Sequence, residues 1–155
     1  MSGVLGTVKI SDVPEIKADT YTGNATIGGV TEREVNNGKI QISIPFLYER
    51  TNKAGDVSEA KFTKRVFVDP AWYEPDYKVL NPNDYERGSA EASEAYAYQL
   101  NMSKVLRPIA LHAGLDTVDH NQFEGKSVGI QLGPEGGKNG DPSRQDLKRV
   151  FAAKK

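Results

Sequence analysis

Ile40-Gln41-Ile42-Ser43-Ile44-Pro45-Phe46-Leu47-Tyr48-Glu49 sets the fold class of this chain. Ile40, Ile42, Ile44, Phe46 and Tyr48 recur at every second position, with Gln41, Ser43 and Leu47 between them. Successive side chains of a strand point to opposite sides, so the spacing describes a strand with one face in a core and the other mostly in water. Asn36-Asn37-Gly38-Lys39 stands just before it, and Asn-Gly tolerates the positive φ that a tight hairpin demands. The run before that turn, Tyr21–Val35, alternates as well: Tyr21, Ala25, Ile27 and Val35 are odd, while Thr22, Asn24, Thr26, Glu32 and Glu34 are even. Gly28-Gly29 interrupts it, as a bulge or sharp bend does.

A third strand is expected over Glu59–Asp69, after the loop Asn52-Lys53-Ala54-Gly55-Asp56. Phe62, Val66 and Val68 share one parity with Lys64, whereas Lys61, Thr63, Arg65 and Phe67 share the other, so one face combines cations with an aromatic ring. Residues 70–88 form a long connection with three prolines and with Trp72, Tyr73, Tyr77 and Tyr85, either a lid or a pad of aromatic packing. Ser89 caps a helical stretch, Ser89–Leu115, whose stripe is Ala95, Tyr98, Met102, Val105, Leu106 and Ile109. Pro108 is expected to kink it or to start a second short helix. Two further strands, Ser127–Leu132 and Asp146–Phe151, enclose a glycine-rich loop.

Three strands, a helix and two strands is the order of the five-stranded oligonucleotide/oligosaccharide-binding (OB) Greek-key barrel, with its helix between strands 3 and 4. The expected fold is therefore mainly β with one helical segment. Residues 21–155 form one OB-like domain with the long 70–88 connection. Residues 1–20 lack a sustained period and carry Pro14, so they read as an N-terminal arm.

Composition narrows the function. A chain of 155 residues without cysteine can bury a core without a staple, and it offers no thiol nucleophile or cysteine-ligated metal. A net charge of −1 argues against a nonspecific polycation. No apolar run approaches the ~20 residues of a membrane span, and the N-terminus has no signal-peptide pattern, so a soluble intracellular protein is expected. Gly133 to Lys138 lacks the spacing and the following Ser or Thr of a phosphate loop. His112 and His120 are too far apart in sequence to define a metal or catalytic site, and no serine lies in a nucleophile elbow. The expectation is a non-enzymatic protein without metal or cofactor.

Basic residues gather on the third strand and toward the end of the chain, at Lys138, Arg144, Lys148, Arg149, Lys154 and Lys155. Binding a single strand requires cations for phosphates and flat rings for bases. Lys61, Lys64, Arg65 and Arg50 suit the phosphates, with Lys53 nearby. Phe67 and Tyr48 suit the bases, although parity turns Tyr48 toward the core. Lys138 and Arg144 stand ready to close over the strand from the last loop.

The segment Phe123-Glu124-Gly125-Lys126-Ser127-Val128-Gly129-Ile130-Gln131-Leu132, the glycine loop, and then Gln145-Asp146-Leu147-Lys148-Arg149-Val150-Phe151 resembles the ending of phage-encoded single-stranded-DNA-binding proteins of the OB type. In that family a Gly-Lys leads into the penultimate strand and a basic-aromatic strand closes the barrel. The resemblance implies binding and protection of single-stranded DNA in phage replication or recombination, in the host cytoplasm, possible self-association, and no cofactor. The end Phe151-Ala152-Ala153-Lys154-Lys155 departs from the acidic, partner-recruiting tip of bacterial single-strand binders, so recruitment through such a tip is not expected. The alternative from another class is a virion structural or assembly protein, in which the β-rich domain packs against copies of itself and residues 72–85 form the interface.

Overall fold

The computed structural model describes residues 5–78 and 80–154. The first four residues of the expected arm and Lys155 of the basic end lie outside the described residues. Six strands are present among them: β1 (Tyr21–Ile27), β2 (Thr31–Glu34), β3 (Ile40–Thr51), β4 (Val57–Val68), β5 (Ser127–Pro134) and β6 (Gln145–Phe151). All their pairings are antiparallel, with β2 and β1 along one edge of β3, β4 along its other edge, and β5 then β6 beyond β1.

The expected five strands are six, because the first run breaks at Gly28-Gly29. Ile27 stands opposite Phe46 and Thr31 opposite Ser43, so four steps on the first run match three on β3. One extra residue is inserted, and the chain bends there while the Gly28 N–H still donates to the Pro45 carbonyl at 2.9 Å. The helical segment accordingly follows the fourth strand rather than falling between strands 3 and 4. The Asn37-Gly38 turn is as expected: both residues have positive φ, 69° and 73°, and the Val35 N–H closes on the Lys39 carbonyl at 2.9 Å.

Alternation in β3 has the predicted consequence. Ile42, Ile44 and Phe46 are fully buried, joined by Ile27, Val66, Ile130 and Leu132 from the neighbouring strands. Each such side chain contributes about 1.5–3 kcal/mol on burial, enough to lock the register, since a one-residue slip would expose the whole set. The sheet curls around this core as a half-barrel. Among the described residues no ladder joins β4 to β6, so the barrel is not closed by strand pairing. Lys64 Nζ reaches Asp146 Oδ1 across that seam at 3.2 Å, and the Phe67 N–H donates to Asn101 Oδ1 of the helical segment at 3.2 Å.

That segment comprises α1 (Ala90–Tyr98), a wide-turned stretch Gln99–Leu106, and α2 (Arg107–His112). Ser89 caps it by accepting the Ala92 N–H at 3.1 Å. In the middle stretch the hydrogen bonds run from residue i+5 to residue i, as in Arg107 N–H to the Met102 carbonyl, while the residues bounding it keep right-handed helical backbone. The wide turns end beside Pro108, whose ring cannot donate and would crowd the carbonyl of an ordinary preceding turn. Pro108 therefore changes the winding of the helix without stopping it. Leu106 and Ile109 are fully buried and Met102 nearly so, which places the predicted stripe over the open side of the sheet.

The 70–88 connection is a packing pad. Trp72 is buried with its ring edge-on to Tyr98 at 5.3 Å, and Tyr77 lies 5.7 Å from the same ring. Capped turns fix its course, Asp69 accepting the Ala71 N–H and Asn81 the Asn83 N–H, each at 3.0 Å.

Candidate nucleic-acid interface

The outward face of β3–β4 is built from the odd positions of both strands. Reading along the hairpin, Gln41 stands opposite Phe67, Ser43 opposite Arg65, Pro45 opposite Thr63, Leu47 opposite Lys61, and Glu49 opposite Glu59. Phe67 is 44% exposed, Leu47 45% and Val57, opposite Thr51, 61%, so three apolar side chains lie in solvent on a face whose cations are Lys61 and Arg65. Neither cation makes an ion pair among the described residues. Strand geometry sets them ~13 Å apart, with Phe67 ~7 Å beyond Arg65.

The other residues singled out from the sequence divide among different places. Lys64 has core parity and is held by Asp146 at the seam. Tyr48 turns inward, nearly buried, with its ring 4.2 Å from that of Tyr21. Arg50 shares the parity of Tyr48 and is ion-paired with Asp19, both side chains more than half exposed. Exposed pairs of this kind hold little energy, so Arg50 can be exchanged to another anion at small cost. Lys53 is exposed in the turn between β3 and β4. Lys138 and Arg144 are exposed in the loop between β5 and β6, with Arg144 Nε 3.6 Å from Asp141 Oδ2. One face thus gathers Lys61, Arg65 and Phe67; Tyr48 and Arg50 belong to the other side of the same strand.

A cleft links the two sides. β1 meets β3 only at Thr26↔Leu47 and Ile27↔Phe46, after which β1 follows β5 and β3 follows β4. Where they part, a cavity of ≈ 520 Å³ opens between Asn24–Thr26 on one wall and Leu47–Glu49 with Glu59–Ala60 on the other. A second cavity of ≈ 520 Å³ lies toward Arg50 and Lys53, and both are lined by Tyr21, Tyr48 and Glu49. Burial raises the Tyr21 phenol above its ordinary range, helped by Tyr48 and Glu49. Alternation marks Tyr21 only as an inward residue of a strand; its position at a cleft depends on the divergence of β1 from β3, which no local pattern encodes. Arg149 was also missed as part of a pair: its guanidinium lies 5.3 Å from the centre of the Phe151 ring on β6.

Two other polar contacts lie outside this face. His120 contacts Glu32 through Nε2, and the Asp119 carboxyl is held below its usual range by hydrogen bonds from Gln122 and Asn121. Among the described residues no group of three potential ligands could hold a metal ion, and no helix is long and apolar enough to cross a membrane. Comparison of the chain with protein-family models and with curated proteins finds no match.

Proposed function

We propose that this protein binds and protects single-stranded DNA without catalysing a reaction, as a phage-type OB-fold protein of replication or recombination. The observation that carries the reading is the outward face of β3–β4, where Lys61 and Arg65, without ion-pair partners among the described residues, share one surface with the exposed ring of Phe67. Cations neutralise phosphates and release counterions, while a ring accepts any base on its π face. The curled sheet supports an OB-type reading, because β1 and β2 follow one edge of β3 and act as a single bent strand. In OB domains the second and third strands and the loops flanking them form the binding surface. The loop carrying Lys138 and Arg144 joins the two strands that follow the helix, as the last of those loops does.

Titration of single-stranded DNA, single-stranded RNA and duplex at several salt concentrations tests the proposal. Tighter binding to single-stranded DNA than to duplex, with log affinity falling linearly in log salt, is the expected result. Equal or absent binding to both DNA forms at low salt would refute it.

One observation favours the alternative of a self-associating virion or assembly protein. Leu5, Val8, Ile10, Val13 and Ile16 of the arm are each more than half exposed. Within residues 72–85, Trp72 is buried and Tyr77 packs on Tyr98, while Tyr73 is exposed. Light scattering together with retention on single-stranded DNA cellulose separates the two readings.

A further inference from the structure

Tyr21 lies along its own strand, over Gly23, and against Tyr48. A Cβ built at Gly23 would fall 2.7 Å from Tyr21 Oη and 3.0 Å from Cζ, so only glycine leaves room for the ring there. The hydroxyl donates to the Asn24 carbonyl at 2.6 Å, which fixes the ring in place. Tyr48 meets it at 4.2 Å with the planes inclined by 31°. The result is a prearranged aromatic platform, half-exposed through Tyr21, at the point where two cavities meet.

Beside this platform the outward face becomes acidic, beyond Lys61 toward the β3–β4 turn. Glu49 and Glu59 stand directly opposite each other on β3 and β4, both exposed and both lining the first cavity. Like charges facing each other across a ladder oppose folding, and ionised carboxylates only accept hydrogen bonds. A phosphate is repelled from this spot. A planar group that presents hydrogen-bond donors is attracted. Lys61 on the near side, and Arg50 and Lys53 beyond, supply the cations on either flank of the cleft.

We infer that the cleft between β1 and β3 receives an unstacked nucleobase, which packs on the Tyr21–Tyr48 platform and directs an exocyclic amino group to Glu49 and Glu59. The inference rests on the single-stranded-DNA reading and adds to it a route and a preference. The strand passes from the outward face through the cleft with this base turned in and its flanking phosphates turned out toward Lys61 and Lys53. Cytosine presents a 4-amino donor of the kind a carboxylate accepts, whereas thymine presents a carbonyl acceptor there. The protein is therefore expected to prefer cytosine to thymine at this position.

The experiment compares oligo(dC) and oligo(dT) of equal length at pH 7.5 across several salt concentrations, with circular dichroism as the folding control. Wild type is expected to bind oligo(dC) more tightly, and Glu49→Gln and Glu59→Gln are expected to bring the affinity ratio toward one. Tyr21→Leu keeps apolar bulk and removes the platform, so it should weaken both complexes about 5- to 100-fold with an unchanged salt slope. Should Tyr21→Leu fail to fold, the exposed Glu59→Gln decides the matter through the ratio alone. Unchanged affinity in Tyr21→Leu together with an unchanged ratio in the glutamate variants, while Arg65→Ala binds weakly, would overturn the cleft and leave the outward face intact. Failure of wild type to bind either oligonucleotide would overturn the cleft and the single-stranded-DNA reading together.

Discussion

Arg65 and Phe67 point the same way from β4, two residues apart, and their removal should have different signatures. Arg65→Ala is expected to weaken binding to single-stranded DNA and to lower the salt slope by roughly one ion, because one phosphate contact is lost. Phe67→Ala should weaken binding by about 1–3 kcal/mol with little change in slope, since stacking releases no counterion. Phe67 is 44% exposed, so neither change should unfold the protein. A destabilised Phe67→Ala, or Arg65→Ala with parental affinity, would show that the face is decoration. Tyr73 and Tyr77 make a separate residue-scale prediction about pH. Burial first, then the carboxylates of Glu32 and Asp119 around Tyr73 and of Glu94 beside Tyr77, push both phenols up to about 12. A phenol whose folded pKa lies above its unfolded value of 10.0 favours the fold fully below that value. The contribution is lost as pH rises from about 10 toward about 12, where only the unfolded chain releases the protons. Thermal unfolding followed across that range should show falling stability in wild type and a shallower fall in the Tyr73→Phe/Tyr77→Phe double variant.

At the scale of elements, the helical segment closes the side of the sheet that strand pairing leaves open. Leu106 is fully buried at the end of its wide-turned stretch, so Leu106→Ala is expected to destabilise the protein by about 2–5 kcal/mol in urea titration. A midpoint equal to the parent would mean that the stripe does not seal the core. The helical stripe and the β3 alternation were legible from the chain because periods of 3.6 and 2 are written directly in residue order. The break between β1 and β2 was legible only as a bend. Gly28-Gly29 signals a bulge or kink, but whether pairing resumes as one strand or two is decided by how many residues the opposite strand spends, here three against four. The wide turns before Pro108 were likewise hidden, since proline announces a missing donor and not the manner in which neighbouring turns compensate.

Over the whole molecule, affinity for single-stranded DNA and self-association are expected to separate. Deleting residues 1–17 removes the exposed aliphatic side chains of the arm but retains Asp19 and the β3–β4 face, so it should lower any self-association in light scattering while binding to single-stranded DNA persists. Loss of binding in that variant would assign the arm to the interface. The sequence by itself determined the mainly antiparallel β architecture, the turn at Asn37-Gly38, the core face of β3 and the joint placement of Lys61, Arg65 and Phe67. All of these follow from residue spacing within one element and from local backbone preference. Tertiary structure alone decided that Lys64 is bound to Asp146, that Arg50 faces Asp19, that the helical segment covers an unclosed seam, and that Tyr21 and Tyr48 meet at a cleft. Each of these joins residues far apart in the chain or faces set by the curl of the sheet, and no periodicity within a single strand carries the distance between two strands that diverge.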